Sequence, residues 1–445
     1  MSQETTRRGF VAAAAAAGIG ITLPSARAAA VPRPAILGGK RVRTKPFPTW
    51  PVFGEPEKKA LLEVLESGHW FRGSGEKVDQ FEEGYKKLTG AKHCVAVANG
   101  TSALLASLGA LGVGPGDEVI VPPYTFVATV NVVLALNALP RFVDSDRESF
   151  QIDARKIEAA ITERTKAIIP VHLGGNAADL DAVLAIARKH KLAVVEDACQ
   201  AHLGEWRGRK VGTWGTSGAF SFQASKNLNS GEGGAILTAD GELAEKCYAF
   251  HNNCRARKTN SYNFSYLPTR GINLRMTEFQ GALLLAQMAR LQEQSNTRWE
   301  NGQYLTGMLR EIPGITPARM YEGCTRNAFH LYMFRYDPEK FAGMPRAKFM
   351  VALEKEGIPC SSGYTPLNKQ SFITETIHSR SYQKLYPKRL LAAWEEQNAC
   401  PENDRLCEEA VWFTQNMLLG PRSDMDQIAE AIGKIQAHAG DVAKL

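Results

Sequence analysis

The sequence predicts an α/β protein: a large domain on a mostly parallel mixed sheet, then a smaller C-terminal α+β domain. Three observations carry this. Short apolar runs without polar alternation, at residues 94–98, 119–121 and 192–196, have the composition of strands buried on both faces. Amphipathic segments separate them, which suits helical crossovers between parallel neighbours. Past residue 312 the chain turns richer in Pro and Gly and then gives aromatic strand patterns among helices.

In chain order, a Pro-rich lead (Pro32, Pro34, Pro46, Pro48, Pro51) precedes a helix expected over 55–67. Strand 94–98 and helix 102–111 follow, then strand 119–121, helix 128–137 and strand 140–143. Strand 167–171, helix 180–190 and strand 192–196 continue the alternation. Strands 220–222 and 235–238 close it before a helix over 242–251. A long helix is expected over 277–302, and 312–323 opens the second region, with strand 330–336 and helices 346–356 and 424–436. At 445 residues one small core does not suffice. The expected layout is a signal segment over 1–28, a lead over 29–54, the large domain over 55–298 and the small domain over 299–445.

The N-terminus reads as an export signal. Thr6-Arg7-Arg8-Gly9-Phe10-Val11 leads into an apolar run over 11–23 and a small-residue cleavage site, Ala26-Arg27-Ala28. The run is shorter than the roughly 20 residues of a membrane-spanning helix. Paired arginines before Gly-Phe point to the twin-arginine route, which exports proteins already folded, so an exported, periplasmic protein with no membrane insertion is expected. The formal charge of +7 has no Lys/Arg-rich block behind it, which argues against a nucleic-acid partner. Eight scattered cysteines form no CxxC pair and stand beside no His cluster, so neither a metal site nor a disulfide scaffold is expected, while one or two bridges stay open.

The run from Phe220 to Gly234 is the most informative. It sets Lys226 just past an apolar strand and before a Gly-rich turn. An amine held inward there can lose its proton and attack a carbonyl; a solvated loop lysine is the plain alternative. Asn99-Gly100-Thr101-Ser102 falls where a strand meets a helix, with hydroxyls beside unpaired N–H groups: a phosphate cradle, or an ordinary N-cap. Asp197 ends an apolar strand, where a carboxylate needs a cationic partner such as a protonated ring nitrogen. Of Glu196 and Asp197, one is expected to be only a local hydrogen-bond acceptor, and His202 a hydrogen-bonded structural histidine. Phe126 can stack on a planar ring or fill the core, and Asn273 and Arg275 can contact an anion or cap the long helix. Together these residues make the set needed to bind pyridoxal 5'-phosphate.

At these residues the chain resembles the sugar and cyclitol aminotransferases of the DegT/StrS family. The stretches are Asn-Gly-Thr-Ser at 99–102, Gly-Asp-Glu-Val-Ile-Val-Pro-Pro at 116–123, Thr-Phe-Val-Ala-Thr at 125–129 and Glu-Asp-Ala at 196–198. Ser-Phe-Gln-Ala-Ser-Lys-Asn at 221–227, Gly-Glu-Gly-Gly at 231–234 and Gly-Ile-Asn-Leu-Arg-Met at 271–276 complete them. Phe-Pro-Thr-Trp-Pro at 47–51 and Cys-Pro-Glu-Asn-Asp at 400–404 resemble the branch acting on inososes and aminoshikimate-type carbocycles. The resemblance implies the fold type I aminotransferase architecture, with Lys226 carrying the cofactor as a Schiff base and Asp197 on the pyridinium nitrogen. It places Gln200 near the ring hydroxyl, Phe126 and Cys199 on opposite ring faces, and Thr101, Ser102 and Ser221 on the phosphate. Asn273 would complete the phosphate site of a partner subunit, so a homodimer with shared active sites is expected. Leu203 departs from the family's Gly after His202, and Asn368 from a His found in many sugar-nucleotide members.

The implied reaction moves an amino group from glutamate or glutamine to a keto sugar or cyclitol. A dehydratase or aromatising lyase on the same scaffold is the rival enzyme. Relatives that dehydrate ketosugars can carry His in place of the lysine, and Lys226 argues against that version. A non-catalytic cofactor-binding regulator is the rival of another class.

Overall fold

Strand ends, and what they bring together, organise the molecule. The computed structural model describes residues 31–257 and 265–445. The export signal expected over 1–28 lies outside the described residues.

In chain order the strands are β1 (His93–Val97), β2 (Glu118–Val121), β3 (Leu139–Phe142), β4 (Thr165–Ile168) and β5 (Ala193–Asp197). A short hairpin, β6 (Glu205–Trp206) and β7 (Arg209–Lys210), precedes β8 (Ser217–Ser221) and β9 (Gly234–Thr238). Later come β10 (Ile315–Pro317), β11 (Cys324–Arg326), β12 (Leu331–Tyr336) and β13 (Ala410–Thr414). Seven strands form the large sheet in the order β1-β9-β8-β5-β4-β2-β3. Within it β8, β5, β4, β2 and β3 run parallel, and β9 is antiparallel to both β8 and β1. Helices cover the sheet, so its strand centres are apolar, as Val119, Ile120 and Val121 show. The α/β class and mostly parallel sheet follow the sequence expectation.

Expected strand 167–171 is paired earlier, at Thr165–Ile168. Pro170 has no N–H to give, so the ladder stops and resumes as a single bridge between Val171 and Asp197. The long helix spans Glu278–Arg310 rather than ending at 302. Gly302 is no terminator: a Cβ there would sit 2.5 Å from the Phe329 ring, so glycine admits close packing. Thr277 caps this helix through a reciprocal box with Gln280, which removes capping as the role of Asn273 or Arg275. The helix Lys77–Thr89, with Val78, Phe81 and Tyr85 buried on one face, was not anticipated.

The long helix also packs on a second, antiparallel sheet, β10-β12-β13. The helices Arg346–Glu356 and Arg422–Ala437 share a core there with Phe334, Phe349, Phe413, Ile428 and Ile432. The lead is fastened to this layer. Glu356 accepts from the Ala35 N–H at 2.7 Å and the Val42 N–H at 2.8 Å, and pairs with buried Lys434 at 3.0 Å. Arg43 pairs with Asp424 at 2.7 Å. None of the described helices is long and apolar enough to cross a membrane.

Candidate active site

The carboxyl ends of β1, β2, β4, β5 and β8 open onto one cleft, where open α/β sheets hold ligands. The cleft has a volume of about 260 Å³, and its lining includes Thr101, Phe126, Asp197, Cys199, Gln200 and Ser221. After β1, Asn99 turns the chain into the helix Gly100–Ala110, its Oδ1 accepting from the Ser102 N–H at 2.8 Å and the Ser102 hydroxyl at 2.9 Å. Thr101 stays exposed at this helix start, with free N–H groups and the positive end of the helix beside it. A Cβ on Gly100 would lie 2.7 Å from Ser221 Cβ and 2.8 Å from Cys199 Sγ. Glycine therefore lets the first helical turn close on β8 and leaves room for an anion.

The two acids at the end of β5 point to different tasks. Glu196 is fully buried and accepts from the N–H groups of Gly212 (2.6 Å), Trp214 (2.7 Å) and Gly215 (2.7 Å). His172 Nδ1 accepts from the Ala178 N–H, so its Nε2 carries the proton and donates to Glu196 at 2.9 Å. Glu196 is thus used up in holding the turn after β7. Asp197 faces the cleft, accepting from the Thr129 hydroxyl at 2.8 Å and the Cys199 N–H at 3.2 Å. Thr125 backs Thr129 at 3.0 Å. No lysine, arginine or histidine pairs with Asp197 among the described residues, which leaves a buried carboxylate ready for a cationic ligand atom.

Lys226 stands on the loop between β8 and β9. The loop is closed by Phe222 N–H to Gly233 C=O at 2.7 Å, Ala224 N–H to Gly231 C=O at 2.9 Å and Ser230 N–H to Phe222 C=O at 2.9 Å. Burial lowers the Lys226 pKa, and the nearby Cys199 and Asp197 resist that shift. Its ammonium has no hydrogen bond or ion pair among the described residues. A larger neutral fraction makes this amine a better nucleophile and proton acceptor. Behind it Asn227 donates to Ala328 C=O at 2.8 Å and meets His330 Nδ1 at 3.3 Å. Burial, and then the Lys226 charge, push His330 well below the usual imidazole range.

The remaining groups fit around these. Phe126 is 56% exposed, so it is not a core aromatic and offers its ring to the cleft. Gln200 accepts from the Gly174 N–H at 2.7 Å, which fixes its amide so that Nε2 donates to the Tyr364 hydroxyl at 3.0 Å. His202 is structural, as expected: Nε2 donates to Ser221 C=O at 2.9 Å, and Nδ1 meets the Tyr85 hydroxyl at 3.1 Å. Burial lowers its pKa to about 4, so it stays neutral.

With this geometry in hand, the family model of the DegT/DnrJ/EryC1/StrS aminotransferases matches residues 51–432. The chain belongs to that family. This aminotransferase is 36% identical over 424 residues to the L-glutamine:2-deoxy-scyllo-inosose aminotransferase of Streptoalloteichus tenebrarius, covering 92% of this chain and 98% of that one. It is 35% identical over 431 residues to the L-glutamine:scyllo-inosose aminotransferase of Streptomyces griseus, covering 92% and 99%. Among solved structures, 3-amino-5-hydroxybenzoic acid synthase superposes with a TM-score of 0.78 at 32% identity, over 89% of this chain and 99% of that one.

Three sequence candidates of the aminotransferase sit apart from the cleft lining: Lys226, which lies behind it within electrostatic reach of Cys199 and Asp197, Ser102 and Asn273. Ser102 is buried, and both its N–H and its hydroxyl are taken by Asn99, so it supports the helix start from behind. Asn273 is exposed, accepts from the Arg275 N–H at 3.3 Å and does not reach the cleft of its own chain. Leu203 adopts a left-handed backbone, φ 61°, at the position where the family's Gly was noted. Thr129 and Tyr364 escaped the sequence reading. The spacing of Thr125 and Thr129, one helical turn apart, was the available signal for the first.

Proposed function

We propose that this aminotransferase uses pyridoxal 5'-phosphate to carry an amino group from glutamine or glutamate to the keto group of a cyclitol. The observation that carries the reading is Asp197 at the cleft wall without a cationic partner and, within electrostatic reach of it, Lys226 with no hydrogen bond or ion pair to its ammonium among the described residues. Relatives named for glutamine and inososes, at 35–36% identity over nine-tenths of the chain, support the substrate class. When bound, the cofactor supplies a carbonyl that amines condense with and a ring that takes up an electron pair.

The protein's own residues do the rest. The N–H groups at the start of helix Gly100–Ala110, with the Thr101 and Ser221 hydroxyls, hold the phosphate, and Ser102 keeps that turn in place through Asn99. Asp197 would accept from the ring N–H and keep it protonated, its carboxylate oriented by the Thr129 hydroxyl and the Cys199 N–H. Phe126, Cys199 and Gln200 line the cleft, where Phe126 and Cys199 would flank the ring and Gln200 would meet its hydroxyl. Lys226 Nζ, its proton affinity lowered by burial, would move the proton between the substrate carbon and the cofactor carbon.

Purified protein incubated with glutamine and a scyllo-inosose should yield the aminated cyclitol, and Lys226→Ala should lose both this product and the absorbance of lysine-bound cofactor. A Lys226→Ala protein that keeps both refutes the assignment. The likeness to 3-amino-5-hydroxybenzoic acid synthase favours one second reading, loss of water from a keto-carbocycle. Dehydrated, non-aminated product would establish that instead.

The proposal extends to a homodimer. Ile272, next to Asn273, exposes apolar surface, as do Trp70 and Phe71, the latter bridged to Thr277, and Asn273 would then serve the partner's phosphate site. Co-expressed Lys226→Ala and Asn273→Ala chains should regain activity that neither has alone; a fully active monomer counts against it. The Arg7-Arg8 signal directs the folded protein outward. A mature N-terminus just after Ala28 in the exported fraction supports that, and an intact cytoplasmic chain opposes it.

A further inference from the structure

The segment Phe47-Pro48-Thr49-Trp50-Pro51 plays no part in the cleft, yet it runs against the back of the lysine loop. It is fastened on both sides of Trp50. Asn416 Nδ2 donates to Pro48 C=O at 2.7 Å. Gln287 Nε2 and Arg290 Nη1 donate to Val52 C=O at 2.8 and 3.0 Å. Between these anchors the Trp50 indole N–H donates to Ala224 C=O at 3.0 Å, two residues before Lys226. The backbone of residues 223–226 otherwise bonds, among the described residues, only within its own loop, to Ser221, Gln223, Asn229 and Gly231.

Beneath the indole lies Arg298, its guanidinium carbon 5.0 Å from the ring centroid. Arg298 is fully buried and has no carboxylate partner among the described residues. Gln415 Oε1 accepts from its Nε at 2.8 Å and from its Nη2, while Nη1 has no partner. Burial pulls its pKa down to about 9. A cation so placed is stabilised by the π face above it and the carbonyl beside it. The indole is therefore held in one orientation by the charge it covers.

We propose that Trp50 is a positioning residue for Lys226: seated on Arg298, it grips the Ala224 carbonyl and so fixes the loop that carries the lysine amine. This rests on the role proposed for Lys226. Asp197 and Cys199 on the cleft side, and His202 and His330 on the opposite side, are the titratable groups around that amine, with Arg298 beyond them. Loosening the loop leaves these groups in place but admits water to the amine.

The test is competitive amine labelling of the cofactor-free full chain across pH, read by peptide mass spectrometry, in wild type, Trp50→Phe and Trp50→Ala. Trp50→Phe keeps an aromatic ring for Arg298 and removes the N–H together with the pyrrole half of the indole. Its Lys226 labelling midpoint should rise by about 0.5–1 pH unit toward an ordinary lysine, with exposed Lys189 unmoved as the internal reference. An unmoved Lys226 midpoint in Trp50→Phe overturns the proposal, as does a shift confined to Trp50→Ala, which would reduce Trp50 to packing. If Trp50→Ala does not fold, Trp50→Phe decides alone. Borohydride trapping of cofactor on another lysine would sink the role of Lys226, and the labelling result, obtained without cofactor, would stand separately.

Discussion

Exchanging each of the two neighbouring acids for its amide separates structure from chemistry. Four donors converge on Glu196, three of them backbone N–H groups. In Glu196→Gln one oxygen becomes an NH2 that faces donors, so two charge-assisted bonds at about 1.5–3 kcal/mol each are lost, a destabilisation of about 3–6 kcal/mol. Among the described residues Asp197 accepts only from the Thr129 hydroxyl and the Cys199 N–H. Asn keeps the second bond, and the hydroxyl can rotate to accept from the new amide. Removing a buried charge with no counter-ion offsets what is lost, so Asp197→Asn should alter stability by no more than about 1 kcal/mol. On the role proposed for Asp197, its cost should appear in catalysis, at about 10²–10⁴-fold, because a cofactor ring nitrogen would lose the group that keeps it protonated. Urea midpoints of the cofactor-free proteins and single-turnover rates of the loaded ones measure the two effects. The division of labour fails if Glu196→Gln slows turnover as much as Asp197→Asn does at an unchanged midpoint, or if Asp197→Asn is the less stable of the two.

Leu203→Gly relieves a left-handed residue at about 1–2 kcal/mol but removes a side chain buried against Trp206 and Val211, so the protein should be destabilised by about 1–3 kcal/mol in thermal unfolding. Phe126→Ala should leave cofactor-free stability within about 0.5 kcal/mol, since the ring is mostly exposed, and weaken cofactor binding about 5–30-fold in spectral titration. For His202 the folded pKa of about 4 lies below the unfolded 6.5, so its contribution is complete above 6.5 and fades as pH falls toward 4. The full difference is about 3 kcal/mol, and His202→Asn should flatten the stability curve between pH 4 and 6.5 by up to one proton.

Much of this was legible from local pattern. Strands buried on both faces announce themselves as unbroken apolar runs, and their ends carry Asn99, Asp197 and Lys226, so the sheet and the cleft came together in the reading. What escaped depends on partners far along the chain. Thr129 reaches Asp197 across 68 residues, Tyr364 reaches Gln200 across 164 and Trp50 reaches Ala224 across 174. Gly302 looked like a helix end because its true neighbour, Phe329, belongs to the approach to another strand. The apolar face of Lys77–Thr89 was present in the sequence but is diluted by Lys, Glu and Gln on the outer side.

The clasp between the lead and the Arg422–Ala437 helix orders events in time. Arg43 waits for Asp424, and the Lys40 carbonyl for the Lys434 ammonium, 381 and 394 residues later. During synthesis the lead therefore has only the Glu356 part of its seat until the Arg422–Ala437 helix has left the ribosome. A nascent or C-terminally clipped chain should keep residues 33–43 open to a protease or antibody, and their concealment marks a chain that is both finished and folded.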